Sequence, residues 1–128
     1  MKQPDILIVD DEQRYADMLA KRLEMRGLQC SVCYNGQTAI DMIIRQHYSL
    51  VVLDLQLPDL YGIDVLTEIK KCRKETTVVI LTGHGSAQDR SKCLAEGAYA
   101  FMNKPLQIDR LVAIMSELET SANEGTDK

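Results

Sequence analysis

Leu50-Val51-Val52-Leu53-Asp54 is the stretch that decides the fold: four apolar residues in an unbroken run, stopped by a carboxylate. A strand with one wet face alternates apolar and polar residues, whereas an unbroken run is buried on both faces, as inner strands of a parallel sheet are. The same pattern recurs on either side. Ile6-Leu7-Ile8-Val9 runs into Asp10-Asp11, and Val78-Val79-Ile80-Leu81 runs into Thr82-Gly83. Segments 30–34 and 99–102 are two weaker strand candidates.

Helical patterns fill the gaps. Ala16, Leu19, Ala20 and Leu23 keep the i, i+3, i+4, i+7 spacing, with Gly27 as the stop. Ile40, Ile43 and Ile44 mark a second helix; Val65, Leu66 and Ile69 a third, after Gly62; Ile108, Leu111, Val112 and Met115 the last. Segment 87–96 is mostly polar, with Leu94 and Ala95 as its main anchors, so it is expected to be the least firmly packed helix. Strand and helix thus alternate through five βα units. Right-handed crossovers then give a three-layer α/β domain, a parallel sheet with helices on both faces. The expected division is one domain over residues 1–120 and a polar, fraying tail over 121–128.

Composition narrows the function. No apolar stretch approaches the roughly 20 residues of a membrane helix. The N-terminus lacks the pattern of a signal peptide, because Ile6-Leu7-Ile8-Val9 meets Asp10-Asp11 directly, and a cytoplasmic location is expected. A net charge of −4 without a block of Lys or Arg argues against direct binding of nucleic acid. Cys30-Ser31-Val32-Cys33 has redox spacing, but on a strand residues three apart point to opposite faces, so the thiols should diverge. Cys72 and Cys93 stand alone in the sequence and are expected to be inert.

In open parallel sheets, sites lie beyond the carboxyl ends of the strands. Here those ends are Asp10-Asp11, Asp54, Thr82-Gly83 and Lys104-Pro105. Each has an ordinary explanation. Asp10 and Gln13 have capping-box spacing, Asp54 could form a turn ahead of Pro58, Thr82 could open a loop, and Lys104 could be a solvated lysine before a proline. Together they are harder to dismiss. Three carboxylates in one pocket repel, and folding alone gives no reason to gather them. A hard divalent cation with oxygen ligands resolves the conflict, and magnesium suits so sparse a carboxylate site.

These features resemble the receiver domains of two-component response regulators. The resemblance rests on Ile6-Leu7-Ile8-Val9-Asp10-Asp11-Glu12, Val52-Leu53-Asp54-Leu55-Gln56-Leu57-Pro58, Gly62, Leu81-Thr82-Gly83, Gly97-Ala98 and Phe101-Met102-Asn103-Lys104-Pro105, in the family's order and spacing. It implies a flavodoxin-like strand order of 2-1-3-4-5. It also implies that Asp54 takes a phosphoryl group from a histidine kinase or phosphotransfer protein. Magnesium, or a similar ion such as manganese, would be held by Asp11, Asp54 and the backbone carbonyl of Gln56, with Asp10 acting through metal-bound water. Lys104 and Thr82 would take the other phosphoryl oxygens. Thr82 and Phe101 would form the switch, and the fourth helix, fifth strand and fifth helix the surface that reaches a downstream effector.

The resemblance further implies a cis Lys104–Pro105 bond and a monomer that phosphorylation allows to dimerise. Gln56 and His84 would border the approach of hydrolytic water and tune the phosphate's lifetime. Gly83 stands where the family often has Ala, leaving the pocket more open. The chain is expected to be a switch and no turnover enzyme. A haloacid-dehalogenase-like phosphatase would show Asp-x-Asp, whereas Asp54-Leu55-Gln56 lacks the second acid. A docking module that merely keeps the fold would not need the Asp, Thr and Lys set. A stand-alone receiver, a relay intermediate and a piece of a longer regulator all fit this sequence.

Overall fold

The apolar run at residues 50–53 does become a strand with neighbours on both sides. In a computed structural model describing residues 6–126 (backbone alone for 121–126), Leu50 pairs with Ile6 on one edge and with Thr77 on the other. The chain alternates strictly: β1 (Ile6–Val9), α1 (Gln13–Met25), β2 (Cys30–Cys33), α2 (Gly36–Arg45), β3 (Leu50–Leu53), α3 (Gly62–Cys72), β4 (Thr77–Thr82), α4 (Ala87–Ala95), β5 (Ala100–Asn103) and α5 (Ile108–Thr126). All strand pairs are parallel, in the order β2-β1-β3-β4-β5. This is the α/β flavodoxin-like arrangement that the resemblance implied. Among the described residues no helix is long and apolar enough to cross a membrane.

The two-residue period of the strands divides the core in two. Leu7, Val9, Val51, Leu53, Val78 and Ile80 pack under α2 and α3. Ile6, Ile8, Leu50, Val52, Val79 and Leu81 pack under α1 and α5. Burying each such side chain is worth about 1.5–3 kcal/mol, so the inner strands anchor the domain. Cys33 belongs to the first cluster and Cys30 packs against the second, so the C-x-x-C thiols do diverge. Burial pushes the Cys33 thiol up to about 12, which keeps it protonated.

The α1 stripe is the one its spacing predicts: Ala16, Leu19, Ala20 and Leu23. Gly27, at φ 86°, ends the helix in a left-handed turn. Its N–H donates to the Glu24 carbonyl and that of Leu28 to the Leu23 carbonyl, the paired bonds of a Schellman cap. Gly97 ends α4 in the same way. Two helices bury other residues than expected. In α2 the buried stripe is Gly36, Ala39 and Ile43, while Ile44 is 57% exposed. Consecutive helical residues stand about 100° apart, so Ile43 and Ile44 do not share a face. In α4 the anchor is Cys93, and Leu94 and Ala95 are exposed. Cys93 is the only buried residue of α4, which remains as weakly anchored as its polar composition suggests.

The α5 backbone stays helical through residues 121–126, where the polar composition suggested fraying. Ser121-Ala122-Asn123-Glu124 contains no proline to break the ladder. The last two residues of that tail, 127 and 128, lie outside the described residues, as do residues 1–5.

One long-range contact ties a helix start to the loop after β3. The N-cap Asn35 side chain accepts the Thr38 N–H at 2.8 Å. The Asp59 carboxylate accepts the N–H groups of Gly36 at 2.8 Å and Gln37 at 2.9 Å. These groups satisfy three of the amides that a helix start leaves without partners. The hydrogen bonds from Gln37 and Gly36 hold the Asp59 carboxyl below the usual carboxylate range. Its contribution is therefore present above the unfolded value near 3.9 and is lost as pH falls through the folded one. Asp59→Ala is expected to destabilise the domain by about 1 kcal/mol at pH 7 in urea unfolding, with the gap to wild type narrowing below pH 4.

Candidate functional site

The ladder hydrogen bonds continue one residue past β1, β3 and β5, and this fixes the residues that follow those strands. Asp10 N–H donates to the Cys33 carbonyl at 3.1 Å, Asp54 N–H to Val9 at 3.0 Å, and Lys104 N–H to Thr82 at 3.0 Å. Asp10, Asp54 and Thr82 are all buried there, at 3%, 5% and 1% exposure.

The Lys104 ammonium joins them. Its Nζ lies 2.8 Å from Asp10 Oδ2 and 3.1 Å from Asp54 Oδ2, and it also pairs with Glu12. The other oxygen of each buried aspartate accepts a backbone N–H, Asp10 Oδ1 from Glu12 at 2.9 Å and Asp54 Oδ1 from Gln56 at 3.2 Å. Burial pushes the Asp10 carboxyl up, and the Asp54 charge adds to this. Hydrogen bonds from Lys104 and the Glu12 N–H offset only part of it. The Lys104 hydrogen bond holds Glu12 below its usual range. Burial alone would lower Lys104, but its hydrogen bonds to Asp10 and Glu12 and the Asp54 charge outweigh that and hold it above its ordinary value. The lysine therefore stays a cation.

The loop after Asp54 is closed by Gly62. A Cβ at that position would come within 2.7 Å of the Asp54 carbonyl oxygen and 2.5 Å of Leu55 Cα, both backbone atoms. Gly62 N–H donates to Leu55 O at 3.0 Å, so α3 starts against the residues that follow Asp54. The Lys104–Pro105 bond is cis.

The structure brings Asp10, Asp54 and Lys104 together, and Thr82 is buried at the end of β4 with its backbone carbonyl bonded to the Lys104 N–H. Asp11 does not join them; its side chain is exposed. Instead Asp10, Glu12 and Asp54 bring carboxylate oxygens within 4.8 Å of one another. Glu12 stood in the sequence motif without a role, and its only signal was that it directly follows the acidic pair. All three donors are hard oxygens gathered around one cation, and this donor set fits a small divalent ion as well as an ammonium. Gln56 and His84 line a cleft of about 430 Å³ beside the site, shared with Tyr61 and Lys92. The backbone N–H of His84 donates to Thr82 Oγ1 at 3.4 Å. Phe101 is partly buried and packs into the cluster under α2 and α3. Its ring fills the space that a Cβ on Gly85 would need.

A carboxyl raised in the fold adds stability below its unfolded value near 3.9, and loses it as pH rises through the folded value. At neutral pH the ionised Asp10 therefore weighs against folding when only Lys104 compensates it. Asp10→Asn is expected to melt above wild type at pH 7 in the presence of EDTA, and the difference should close below pH 4. Circular dichroism melts across pH check this.

The chain is similar to known proteins. Over 113 residues the chain is 37% identical to the transcriptional regulatory protein YkoG of Bacillus subtilis, covering 88% of this chain and 50% of YkoG. The chain thus spans about half the length of that relative. The receiver domain of NtrX from Brucella abortus superposes with a TM-score of 0.81 at 34% identity, covering 89% of this chain and 97% of the other. A CheY-like receiver domain protein from Methanospirillum hungatei superposes with a TM-score of 0.86 at 28% identity, covering 93% and 96%. Residues 6–116 match the response regulator receiver domain, and the chain belongs to that family of two-component signalling switches.

Proposed function

We propose that Asp54 is the phosphoacceptor of this receiver and that Lys104 and Thr82 complete its catalytic set. The observation that carries the reading is the Lys104 ammonium held between two buried aspartates at the ends of β1 and β3. The donor is a phosphohistidine on a histidine kinase or phosphotransfer protein. An Asp54 carboxylate oxygen attacks phosphorus in line; the new O–P bond forms as the P–N bond breaks, and the electron pair leaves with the imidazole nitrogen. The Lys104 ammonium swings its pairing from Asp54 to a phosphoryl oxygen, and the Thr82 hydroxyl donates to another. The resemblance implies that Asp11, Asp54 and the Gln56 carbonyl would hold a magnesium or manganese ion, with Asp10 acting through metal-bound water; the Glu12 carboxylate, grouped with Asp10 and Asp54, would stand at the same place, and the ion would supply charge neutralisation for those oxygens.

Phosphorylation replaces one charge with about two and adds acceptor oxygens. Thr82 drawn toward them frees space beside Phe101, and α4, β5 and α5 present the changed surface to an effector. In this reading residues 1–120 form the signalling unit, followed by a polar tail at 121–128. The unit works in the cytoplasm as a monomer that can dimerise once phosphorylated, and it makes no direct contact with nucleic acid. It assists its own phosphotransfer and dephosphorylation without turning over a small substrate.

Acetyl phosphate with magnesium is expected to add one phosphate to the chain, visible by intact mass. The adduct should be absent in Asp54→Asn and after chelation by EDTA. An equal adduct on Asp54→Asn would sink the assignment.

His84 and Gln56 bear on how long the phosphate lasts. Hydrolysis needs water in line, opposite the Asp54 oxygen. The Gln56 amide can orient water but is no general base. The bulkier His84 side chain would stand over the phosphate and, as a cation, would pair with it and shield it. His84→Ala is expected to shorten the phosphate half-life by about two- to threefold, a barrier change on the order of 0.5 kcal/mol. Decay rates that are unchanged or slower would rule shielding out.

A further inference from the structure

Tyr15 lies near the start of α1, partly buried against the cluster under α1 and α5. Its hydroxyl oxygen accepts the Leu106 N–H at 2.9 Å, a contact between residues 91 positions apart. Its ring faces the Lys104 ammonium, with Nζ 4.9 Å from the ring centroid. Lys104 and Leu106 flank Pro105, so one side chain from α1 holds the β5–α5 connection on both sides of that proline.

We infer that Tyr15 is a positioning residue for Lys104: its hydroxyl anchors the ring to the Leu106 backbone, and the ring face confines the ammonium. This rests on the reading that Asp54 is phosphorylated. A lysine carries its charge on a flexible four-carbon stem, so the place of the charge depends on what surrounds it. The other neighbours of Lys104 are the carboxylates of Asp10, Glu12 and Asp54. Those same groups change partners when a cation or a phosphoryl group arrives. The aromatic face attracts the ammonium through its quadrupole, and it offers no carboxylate oxygen to a hard cation. Among the contacts of the ammonium with the described residues, it is the one that need not change between the resting and phosphorylated states. The bond to Leu106 makes the ring a fixed wall, because two distant backbone segments must move together for it to shift.

The test is the rate of Asp54 phosphorylation by acetyl phosphate with magnesium in wild type, Tyr15→Leu, Tyr15→Phe, Lys104→Ala and the double variant Tyr15→Leu/Lys104→Ala. Tyr15→Leu is expected to slow the reaction about three- to tenfold, the range of a partly desolvated cation–π contact. Tyr15→Phe keeps the ring but loses the bond to Leu106, and should slow the reaction by less than Tyr15→Leu does. The double variant should be no slower than Lys104→Ala, because a group acting through Lys104 has nothing left to act on. A Tyr15→Leu rate equal to wild type, a Tyr15→Phe rate as slow as Tyr15→Leu, or the same slowing by Tyr15→Leu in the Lys104→Ala background would each overturn the inference. Should Tyr15→Leu fail to fold, Tyr15→Met takes its place in the cycle. A wild-type chain that gains no phosphate defeats the proposed function instead, and the ring contact is then read directly by NMR. The Lys104 ε-methylene protons should show an upfield ring-current shift in wild type and Tyr15→Phe that is gone in Tyr15→Leu. Its absence from wild type would overturn the contact itself.

Discussion

Asp10 and Asp54 are two carboxylates placed side by side at the ends of neighbouring buried strands, and the Lys104 ammonium is what makes their company tolerable. Much of the architecture follows from that constraint. The aspartates come from β1 and β3, which pair directly, so their proximity is a consequence of register: Val9 stands opposite Leu53. The lysine must come from elsewhere, because another residue of β1 or β3 would point into one of the two packed faces. It comes from the end of β5, an edge strand two places from β3. A long side chain spans that gap, and its backbone is tethered by the bond from Lys104 N–H to the Thr82 carbonyl.

A site of this kind works against the stability of its own fold. Among the described residues no buried side-chain nitrogen or oxygen lacks a hydrogen-bond partner, so the polar groups are individually satisfied. Yet the Asp10 carboxyl still sits above its ordinary range, because burial and the neighbouring Asp54 outweigh the hydrogen bonds it receives. The domain keeps this cluster because the rest of the molecule over-determines it. Gly62 lets α3 start in contact with the Asp54 backbone, and Asp59 fastens the same loop to the start of α2. Apolar burial on both faces of the sheet supplies the stability that the cluster withdraws.

The fold was legible because unbroken apolar runs and helical spacings carry it, and both come straight from residue order. The errors lie where a pattern was too short to set a phase. Three isoleucines within five residues of α2 do not say which one faces outward, and Ile44 does. In α4 so few apolar residues exist that Cys93, a small hydrophobe, passed unnoticed as the anchor. The site was legible at strand ends, where position along the chain is position in the pocket. It was not legible for side chains that reach the pocket from α1 and from the residue that precedes it. Glu12 and Tyr15 approach Lys104 across 92 and 89 positions of sequence, respectively, through contacts that no local spacing encodes. Asp11 shows the converse: adjacent to Asp10 in sequence, it is exposed, because successive residues leaving a strand diverge.

The way α4 is held bears on how a change at Asp54 could reach the surface. The helix is firmly terminated. Ser86 and Asp89 form a reciprocal capping box at its start, and Gly97 and Ala98 complete a Schellman cap at its end. It is weakly anchored between those ends, with Cys93 alone fully buried among its residues. Strong caps disfavour melting, while thin packing permits displacement, so α4 is suited to shift as a rigid piece. The loop that leads into it passes over the Phe101 ring at Gly85 and begins at Thr82, whose hydroxyl oxygen accepts the His84 N–H. A side chain as small as Ala at Gly85 would press on the ring. Thr82, the Phe101 ring and the start of α4 are thus neighbours along one short loop, and in the proposed switch a movement of Thr82 toward Asp54 would act on both without a longer path.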